Sequence, residues 1–148
     1  MTTVQKILKA KGDASNYSVS GDDTVLTALK MMAEEHIGAV LVTEGDKIIG
    51  IYTERDYVQK GELEGRKADS TPVREVMTAG MYTVTTDTSV EQCMALMETY
   101  HIRHLPVVEN DQLVGMVSIR DVMVAALENR ETEIKGLENY ILASGFSS

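Results

Sequence analysis

The chain has 148 residues, 43% of them apolar and 25% charged, and its 14 Lys and Arg against 23 Asp and Glu give a net charge of −9. That length predicts a single compact unit, and the composition excludes a chain that is disordered throughout. The negative charge excludes an extended nucleic-acid surface, because affinity for a phosphate backbone comes from clustered cations.

Few residues of the types that build redox or metal centres are present. Cys93 is the single cysteine, which excludes an intramolecular disulfide framework, and the three histidines do not form a zinc-finger spacing with it. Nothing indicates a metal site made of carboxylates. No apolar run approaches the roughly 20 residues of a membrane span, and the first residues lack the apolar core of a secretory signal. We therefore expect a cytoplasmic protein.

An internal repeat organises the chain. Residues 19–57 align without a gap to residues 84–122 at a constant offset of 65, and 12 of the 39 pairs are identical. Chance would give roughly two or three identities at ordinary residue frequencies, so the chain contains a duplication. A short prelude precedes each copy, VQKIL at residues 4–8 and VREVM at residues 73–77, and the first prelude lies four residues further from its repeat.

Each copy predicts the same order of elements. A short extended lead is followed by a helix that Thr24 or Ser89 can cap, and Gln92 completes a capping box with Ser89. Two apolar strands follow, with the dipeptide GD or ND at the tight turn between them. A second helix then begins at the hydroxyl residue Thr53 or Ser118. The expected leads are residues 17–19 and 82–84, and the expected strands are residues 39–42, 48–52, 105–108 and 113–117.

The fold class that follows is α+β, with two β-α-β-β-α units packed sheet against sheet about a pseudo-twofold axis. A unit of about 50 residues has a marginal core of its own, and the packing of two units leaves two crevices. We expect the first repeat at residues 1–66, the second at residues 67–124, and an amphipathic helix and tail at residues 125–148. In this tail the helical spacing predicts either a cap on the core or a dimer contact, made by Leu127, Ile134, Leu137 and Ile141.

Two equivalent segments, GIYTERD and GMVSIRD, have two interpretations. In one, the hydroxyl residue caps a helix and the aspartate completes a capping box. In the other, the glycine permits close approach, the free amides at the helix start accept an anion, the carboxylate accepts both hydroxyls of a ribose, and the arginine balances charge. The hydroxyl, arginine and aspartate positions are Thr53, Arg55 and Asp56 in the first copy and Ser118, Arg120 and Asp121 in the second.

The repeats diverge where the first core strand begins. Gly38 and Ala39 stand opposite Arg103 and His104. Arg and His side by side could pair with a phosphate, and Gly-Ala would let a flat base approach the backbone. The alternative for His104 is a satisfied, partly buried histidine.

The other residues with reactive side chains favour structural roles. His36 and His101 lie at helix ends, and Cys93 lies on an apolar helix face with two methionines, as a small core residue does. No Ser-His-Asp or Cys-His arrangement is indicated, and no pair of carboxylates recurs with a nearby base. We therefore expect a protein that is not an enzyme.

In its order of motifs the chain resembles the cystathionine beta-synthase (CBS) domain family, as a tandem pair of the kind called a Bateman module. The resemblance covers residues from about 3 to 124 and rests on the preludes, on DDTVLTAL and DTSVEQCM, on HIGAVLV and HIRHLPVV, and above all on GIYTERD and GMVSIRD. Over the whole chain it is similar to the small stand-alone CBS-pair proteins of bacteria and plant organelles.

The resemblance implies a regulatory protein that binds AMP, ADP, ATP, NAD or S-adenosylmethionine in one or both clefts between the repeats. It also implies a homodimer and a regulated protein partner, without a catalytic cofactor, nucleic acid or membrane. The implied ligand-binding residues are Tyr17, Val19, Gly38, Ala39, Thr53, Arg55, Asp56, Thr83, Thr85, Arg103, His104, Pro106, Ser118, Arg120 and Asp121.

The two clefts are not expected to be equivalent. The first repeat lacks the basic pair and has Leu41 where the second has Pro106. We expect the cleft that holds Asp121 with Arg103 and His104 to be the tighter site for a phosphorylated ligand. The alternative function is a structural or interaction protein in which both clefts are vestigial.

Overall fold

A computed structural model describes residues 2–12 and 17–143, with side chains as far as residue 140. Helix α1 (Val4–Lys11) is followed by the elements of the first repeat, β1 (Ser18–Ser20), α2 (Val25–Glu35), β2 (Ala39–Glu44), β3 (Lys47–Thr53) and α3 (Glu54–Lys60). Strand β1 pairs in parallel with β2, and β2 pairs antiparallel with β3, giving a three-stranded sheet.

The second repeat has the same order with a shorter lead. Its expected strand at residues 82–84 is reduced to one parallel bridge between Val84 and Val107, so its sheet has two antiparallel strands. One-turn 3₁₀ helices at Glu62–Glu64 and Val73–Glu75 lie between the repeats. The elements of the second repeat are α4 (Val90–Tyr100), β4 (His104–Glu109), β5 (Gln112–Ser118) and α5 (Ile119–Ala143).

Local hydrogen bonds fix the helix starts where the sequence predicts them. Thr24 Oγ1 accepts from the backbone N–H of Thr27 at 3.3 Å. Ser89 and Gln92 form the expected capping box, with Gln92 N donating to Ser89 Oγ at 3.1 Å and Ser89 N donating to Gln92 Oε1 at 2.9 Å. Because these bonds satisfy amides that a helix start leaves free, both capping predictions are confirmed.

Helices α2 and α4 end in the same way. His36 and His101 adopt left-handed backbone conformations, with φ of 56° and 54°. Their N–H groups donate to the carbonyls of Met32 and Met97. The backbone of each histidine therefore ends a helix, as their positions in the sequence predict.

The two preludes are exchanged between the repeats. Val4 and Ile7 of α1 are buried in the core of the second repeat, whereas Val73 and Val76 are buried in the core of the first. The backbone N–H of Val4 donates to Thr88 O and that of Val73 to Asp23 O, both at 2.8 Å. Each core is therefore completed by a segment that precedes the other repeat. The repeat boundaries at residues 66 and 124 stay a prediction.

A third apolar cluster joins the two sheets. Ala39, Leu41 and Ile51 are buried there and pack against Leu113 and Met116 of β5. Alternate residues of β2, such as Val40, point instead to the helices of the first repeat, because successive side chains of a strand face opposite sides. The predicted packing of sheet against sheet about a pseudo-twofold axis is confirmed.

The last helix extends well past the core of the second repeat. Val122 and Ala125 are buried, whereas Leu127, Ile134 and Leu137 are 61%, 55% and 64% exposed. The expectation that the tail caps the core is therefore wrong for these three residues, and the side chain of Ile141 lies outside the described part of the chain. Within that part, no helix is both long and apolar enough to cross a membrane.

Candidate functional site

A cavity of about 430 Å³ lies between the two repeats. Its volume falls within the range of roughly 300–1,000 Å³ that is typical of small-molecule sites. Residues of the first repeat form one wall, namely Gly38, Ile51, Thr53, Glu54, Arg55 and Asp56, and residues from Thr78 onward form the other, namely Thr78, His101, Ile102, Arg103 and His104. We refer to it below as the Asp56 cavity.

Asp56 is held at the start of α3 by a capping box. Asp56 Oδ2 accepts from Thr53 N at 3.0 Å and from Thr53 Oγ1 at 3.2 Å, while Asp56 N donates to Thr53 Oγ1 at 3.2 Å. The other oxygen, Oδ1, accepts from Thr78 Oγ1 at 3.0 Å and pairs with Lys60 Nζ at 3.3 Å. The capping interpretation of GIYTERD is thus confirmed, and the carboxylate is rigidly placed at the cavity wall.

Arg103 and His104 line this cavity, which does not include Asp121. His104 nevertheless lies close enough to Asp121 for that carboxylate to affect its pKa, so the expected grouping of the basic pair with Asp121 stays a prediction. Strand β4 begins at His104 and faces the start of α3 across the sheet interface, and an ideal Cβ on Gly38 would lie 4.0 Å from the His104 ring. In this cavity the carboxylate of Asp56 and the basic pair thus come from different repeats.

His104 does not contribute a full positive charge at neutral pH. Burial lowers the pKa of His104, and the nearby charges of Lys11 and Arg103 lower it further, against an opposing effect of Asp121. Arg103 is exposed and charged. At this basic pair an anion would therefore meet the cation of Arg103 and a neutral imidazole that can donate or accept a hydrogen bond.

Two further charged side chains shape the cavity. Arg55 Nη1 donates to the carbonyl of His101 at 3.2 Å and so links the repeats. Glu54 also lines the cavity, and an ideal Cβ on Gly38 would lie 3.6 Å from Glu54 Oε1. Glu54 was not expected from the sequence, since its equivalent in the second copy is Ile119.

The surroundings of Asp121 differ from those of Asp56. Its capping box with Ser118 is formed, with Ser118 N donating to Asp121 Oδ2 at 2.9 Å and Asp121 N to Ser118 Oγ at 3.2 Å. Asp121 and Arg120 border a groove of about 180 Å³ between α1 and α5, which is below the usual volume of a ligand site. Lys11 Nζ lies 3.0 Å from Asp121 Oδ2.

Asp121 stays ionised under ordinary conditions. Burial raises the pKa of Asp121, but the hydrogen bonds from Ser118 and the ammonium of Lys11 outweigh it, so the pKa lies below its usual value. Lys11 was not identified from the sequence. The available signal was the four extra residues between the first prelude and its repeat, which allow α1 to continue to Lys11.

The first residues of GIYTERD and GMVSIRD are the glycines Gly50 and Gly115, and both pack closely against other parts of the chain. A Cβ on Gly50 would lie 2.6 Å from Met77 Sδ and 2.9 Å from Thr78 O, and a Cβ on Gly115 would lie 2.7 Å from Leu8 Cδ2. Leu8 and Met77 belong to the exchanged preludes, and Thr78 follows the second prelude directly. The close approach predicted for a ligand is therefore made by the chain itself.

The remaining predicted residues divide between core and surface. Val19 is buried among core residues of the first repeat, and Ala39 is buried at the sheet interface. Tyr17 is partly buried and packs against the first core, Pro106 is buried in β4, and Thr83 and Thr85 are exposed. Their roles as ligand contacts stay predictions.

Cys93 is a core residue, as expected. It is fully buried in α4, and burial raises its pKa to about 11, so little reactive thiolate forms at neutral pH. Among residues 2–12 and 17–143, no group of three or more His, Cys, Asp and Glu side chains could hold a metal ion.

Comparison with known proteins agrees with this arrangement. The family model of the CBS domain matches residues 14–61 and 73–128. The chain is 38% identical over 148 residues to "CBS domain-containing protein CBSX3, mitochondrial" of Arabidopsis thaliana, covering 95% of this chain and 72% of that protein. It is 33% identical over 112 residues to CBS domain-containing protein YhcV of Bacillus subtilis, covering 76% and 79%.

Solved structures give the same result. A signal-transduction-type protein with CBS domains from Burkholderia ambifaria MC40-6 superposes with a TM-score of 0.83 at 46% identity, covering 86% of this chain and 95% of that one. Pairs of CBS repeats are regulatory modules that commonly bind adenosine ligands. On its motifs, its fold and these matches, the chain belongs to the CBS domain family.

Proposed function

We propose that the chain is a non-catalytic regulatory module that binds an adenosine nucleotide in the Asp56 cavity. The observation that carries the proposal is that the cavity combines a hydroxyl and a carboxylate from one repeat, Thr53 and Asp56, with Arg103 and His104 from the other. A carboxylate accepts both hydroxyls of a ribose, and an arginine pairs with phosphate oxygens. The ligand would then contact both repeats at once.

The charges of the cavity favour a phosphorylated ligand. Arg103 on one wall and Arg55 on the other supply positive charge to the cavity, whereas Glu54 and Asp56, on the wall of Arg55, are acidic. AMP, ADP, ATP and NAD all carry ribose and phosphate in the required order. S-adenosylmethionine is a weaker candidate, because it carries ribose but no phosphate, and its sulfonium and amino groups are cations.

Binding would act as a signal through the relative position of the repeats. Arg55 contacts the carbonyl of His101, and Thr78 contacts Asp56, so bonds between repeats already border the cavity. A nucleotide shifts this arrangement by its differential affinity for two orientations. The receiver would be a partner protein or the chain's own assembly.

A homodimer is the assembly that we propose. The stripe formed by Leu127, Ile134 and Leu137 on α5 is exposed in the single chain, and a second copy would cover it. Cytoplasmic residence also stays a prediction, and the Arabidopsis relative is named as mitochondrial.

Thermal unfolding with a panel of adenosine compounds tests the proposal. A ligand present at 100 times its dissociation constant adds about 2.7 kcal/mol to the free energy of unfolding. We expect AMP, ADP, ATP or NAD to raise the melting temperature of the wild type. Asp56→Asn should abolish the rise, whereas the control Asp46→Asn, in an exposed turn of the same repeat, should retain it.

The alternative is a structural CBS pair with a vestigial cavity. It is favoured by one observation, since both oxygens of Asp56 accept bonds from the chain itself, namely from Thr53, Thr78 and Lys60. That alternative predicts no shift in melting temperature with any adenosine compound at millimolar concentration. It also predicts that Asp56→Asn lowers the melting temperature by the same amount with and without nucleotide.

A further inference from the structure

Lys11 and Thr78 occupy equivalent places in the two repeats. In the first repeat, the carbonyl of Ile51 accepts from Thr78 N at 2.8 Å, and Asp56 accepts from Thr78 Oγ1 at 3.0 Å. The second-repeat equivalents of Ile51 and Asp56, at the offset of 65, are Met116 and Asp121. Lys11 Nζ donates to the Met116 carbonyl at 2.9 Å and to Asp121 Oδ2 at 3.0 Å.

One ammonium group thus replaces a backbone N–H and a side-chain hydroxyl. The replacement follows from the exchanged preludes, because the second prelude brings the backbone of Thr78 to the edge of β3, whereas α1 approaches β5 and reaches it with a long side chain. Thr78 is neutral and can donate or accept, so a ribose hydroxyl can join its contacts. Lys11 is charged and can only donate.

We propose that Lys11 determines the number of nucleotides that the chain binds, by closing the Asp121 carboxylate to ribose. The inference rests on the proposed function and extends it. The bond from Lys11 to Asp121 Oδ2 would have to break before a ribose diol could take both oxygens of Asp121. The wild type therefore binds a single nucleotide, in the Asp56 cavity.

The pairing partner of Asp56 does not form the same barrier. Lys60 follows Asp56 by one helical turn of α3, so their pairing stays within one element, although Lys60 Nζ also donates to Thr78 Oγ1 at 3.3 Å; the side chains of Lys60 and Lys11 are similarly exposed, at 39% and 32%. Lys11 joins elements that are 110 residues apart in the chain. The volumes beside the two carboxylates agree with a single binding site at Asp56. The groove beside Asp121 is about 180 Å³, whereas the Asp56 cavity is about 430 Å³.

Calorimetric titration with AMP tests the proposal. Wild type should bind one AMP per chain and Lys11→Met two, with Lys11→Gln as a second variant if Lys11→Met folds poorly. Lys9→Met, an exposed lysine of the same helix, is the matched control and should bind one. In the double variant Lys11→Met with Asp56→Asn, one AMP should remain, and adding Asp121→Asn should remove it.

The outcomes separate this inference from the proposed function. Two AMP per wild-type chain, or an unchanged count in both Lys11 variants, would overturn the role of Lys11 while leaving nucleotide binding in place. No AMP on the wild type together with one on Lys11→Met would refute the proposed site at Asp56 and support the role of Lys11. No AMP on any variant would reject both.

Discussion

Thr78 Oγ1 donates a hydrogen bond of 3.0 Å to Asp56 Oδ1, although Thr78 follows the second prelude and Asp56 belongs to the first repeat. The backbone of Thr78 also bridges to Ile51 of β3, with N···O distances of 2.8 and 3.0 Å. The carboxylate proposed to bind ribose is therefore oriented in part by the residue that follows the exchanged prelude.

Replacing Thr78 by valine should reduce both stability and affinity for nucleotide. A hydrogen bond to a charged group contributes about 1.5–3 kcal/mol, and Asp56 is only 5% exposed. We expect Thr78→Val to lower the free energy of unfolding in urea by an amount in that range. The control Thr83→Val changes an exposed threonine and should have little effect. Equal stability of the two variants would show that the Thr78 hydroxyl does not hold Asp56.

Replacing Tyr52 by phenylalanine should stabilise the protein. The Tyr52 hydroxyl is buried without a hydrogen-bond partner among the described residues, and burial together with the charge of Asp56 and Tyr57 raises its pKa to about 12. A buried, unsatisfied polar group costs about 1–3 kcal/mol. We expect Tyr52→Phe to raise the free energy of unfolding by about 1 kcal/mol. Tyr57→Phe, which loses an exposed bond to Glu62, is the control and should not raise it, and a less stable Tyr52→Phe would contradict the prediction.

Replacing Gly50 and Gly115 by alanine should lower the free energy of unfolding by unequal amounts. The added methyl group of Gly50→Ala would meet the backbone carbonyl of Thr78 at 2.9 Å, whereas that of Gly115→Ala would meet the end of the flexible Leu8 side chain. Overpacking typically costs about 1–3 kcal/mol. We expect Gly50→Ala to fall in or above this range and Gly115→Ala below it, as measured by urea unfolding. Leu8→Ala combined with Gly115→Ala should relieve the contact, and the absence of any coupling in this double-mutant cycle would contradict the exchange of α1.

The stability of the protein should depend on pH through His104. Burial lowers its pKa below the usual 6.5, with Lys11 and Arg103 acting in the same direction and Asp121 in the opposite one. The unfolded chain therefore binds a proton more readily than the folded one. The contribution of His104 to the free energy of unfolding is fully present above about pH 6.5. It decreases as the pH falls from there through the lower pKa of the folded state.

Unfolding measured from pH 5 to pH 8 tests this dependence. We expect the stability of His104→Gln to fall less than that of the wild type on acidification below pH 6.5. His36→Asn is the control, because Asn tolerates the left-handed conformation at that position. A pH profile of His104→Gln that is parallel to that of the wild type would contradict the expected direction.

The sequence predicted the elements that depend on neighbouring residues. The caps at Thr24 and Ser89, the capping boxes at Thr53 and Ser118, and the hairpin turns follow from local hydrogen bonds and backbone preferences, which short motifs record. The packing of the sheets follows from two apolar faces that a single repeat cannot bury.

Features that depend on which repeat packs against which segment were not predicted. The exchange of the preludes places Thr78 beside Asp56 and Lys11 beside Asp121, and a linear repeat gives no information about partners so distant in the chain. The same limit applies to Arg103, which lies in the same repeat as Asp121 but also lines the Asp56 cavity at the sheet interface.

Calorimetric titration of Arg103→Met with AMP and with adenosine tests most directly whether a nucleotide bridges the repeats at Asp56. A charge-assisted bond of about 1.5–3 kcal/mol corresponds to roughly a 10- to 100-fold change in affinity. We expect Arg103→Met to weaken the affinity for AMP by that factor and to leave the affinity for adenosine unchanged. The control Arg130→Met, on the exposed part of α5, should bind both compounds as the wild type does. Unchanged affinity for AMP in Arg103→Met would contradict a phosphate site formed by the second repeat opposite Asp56.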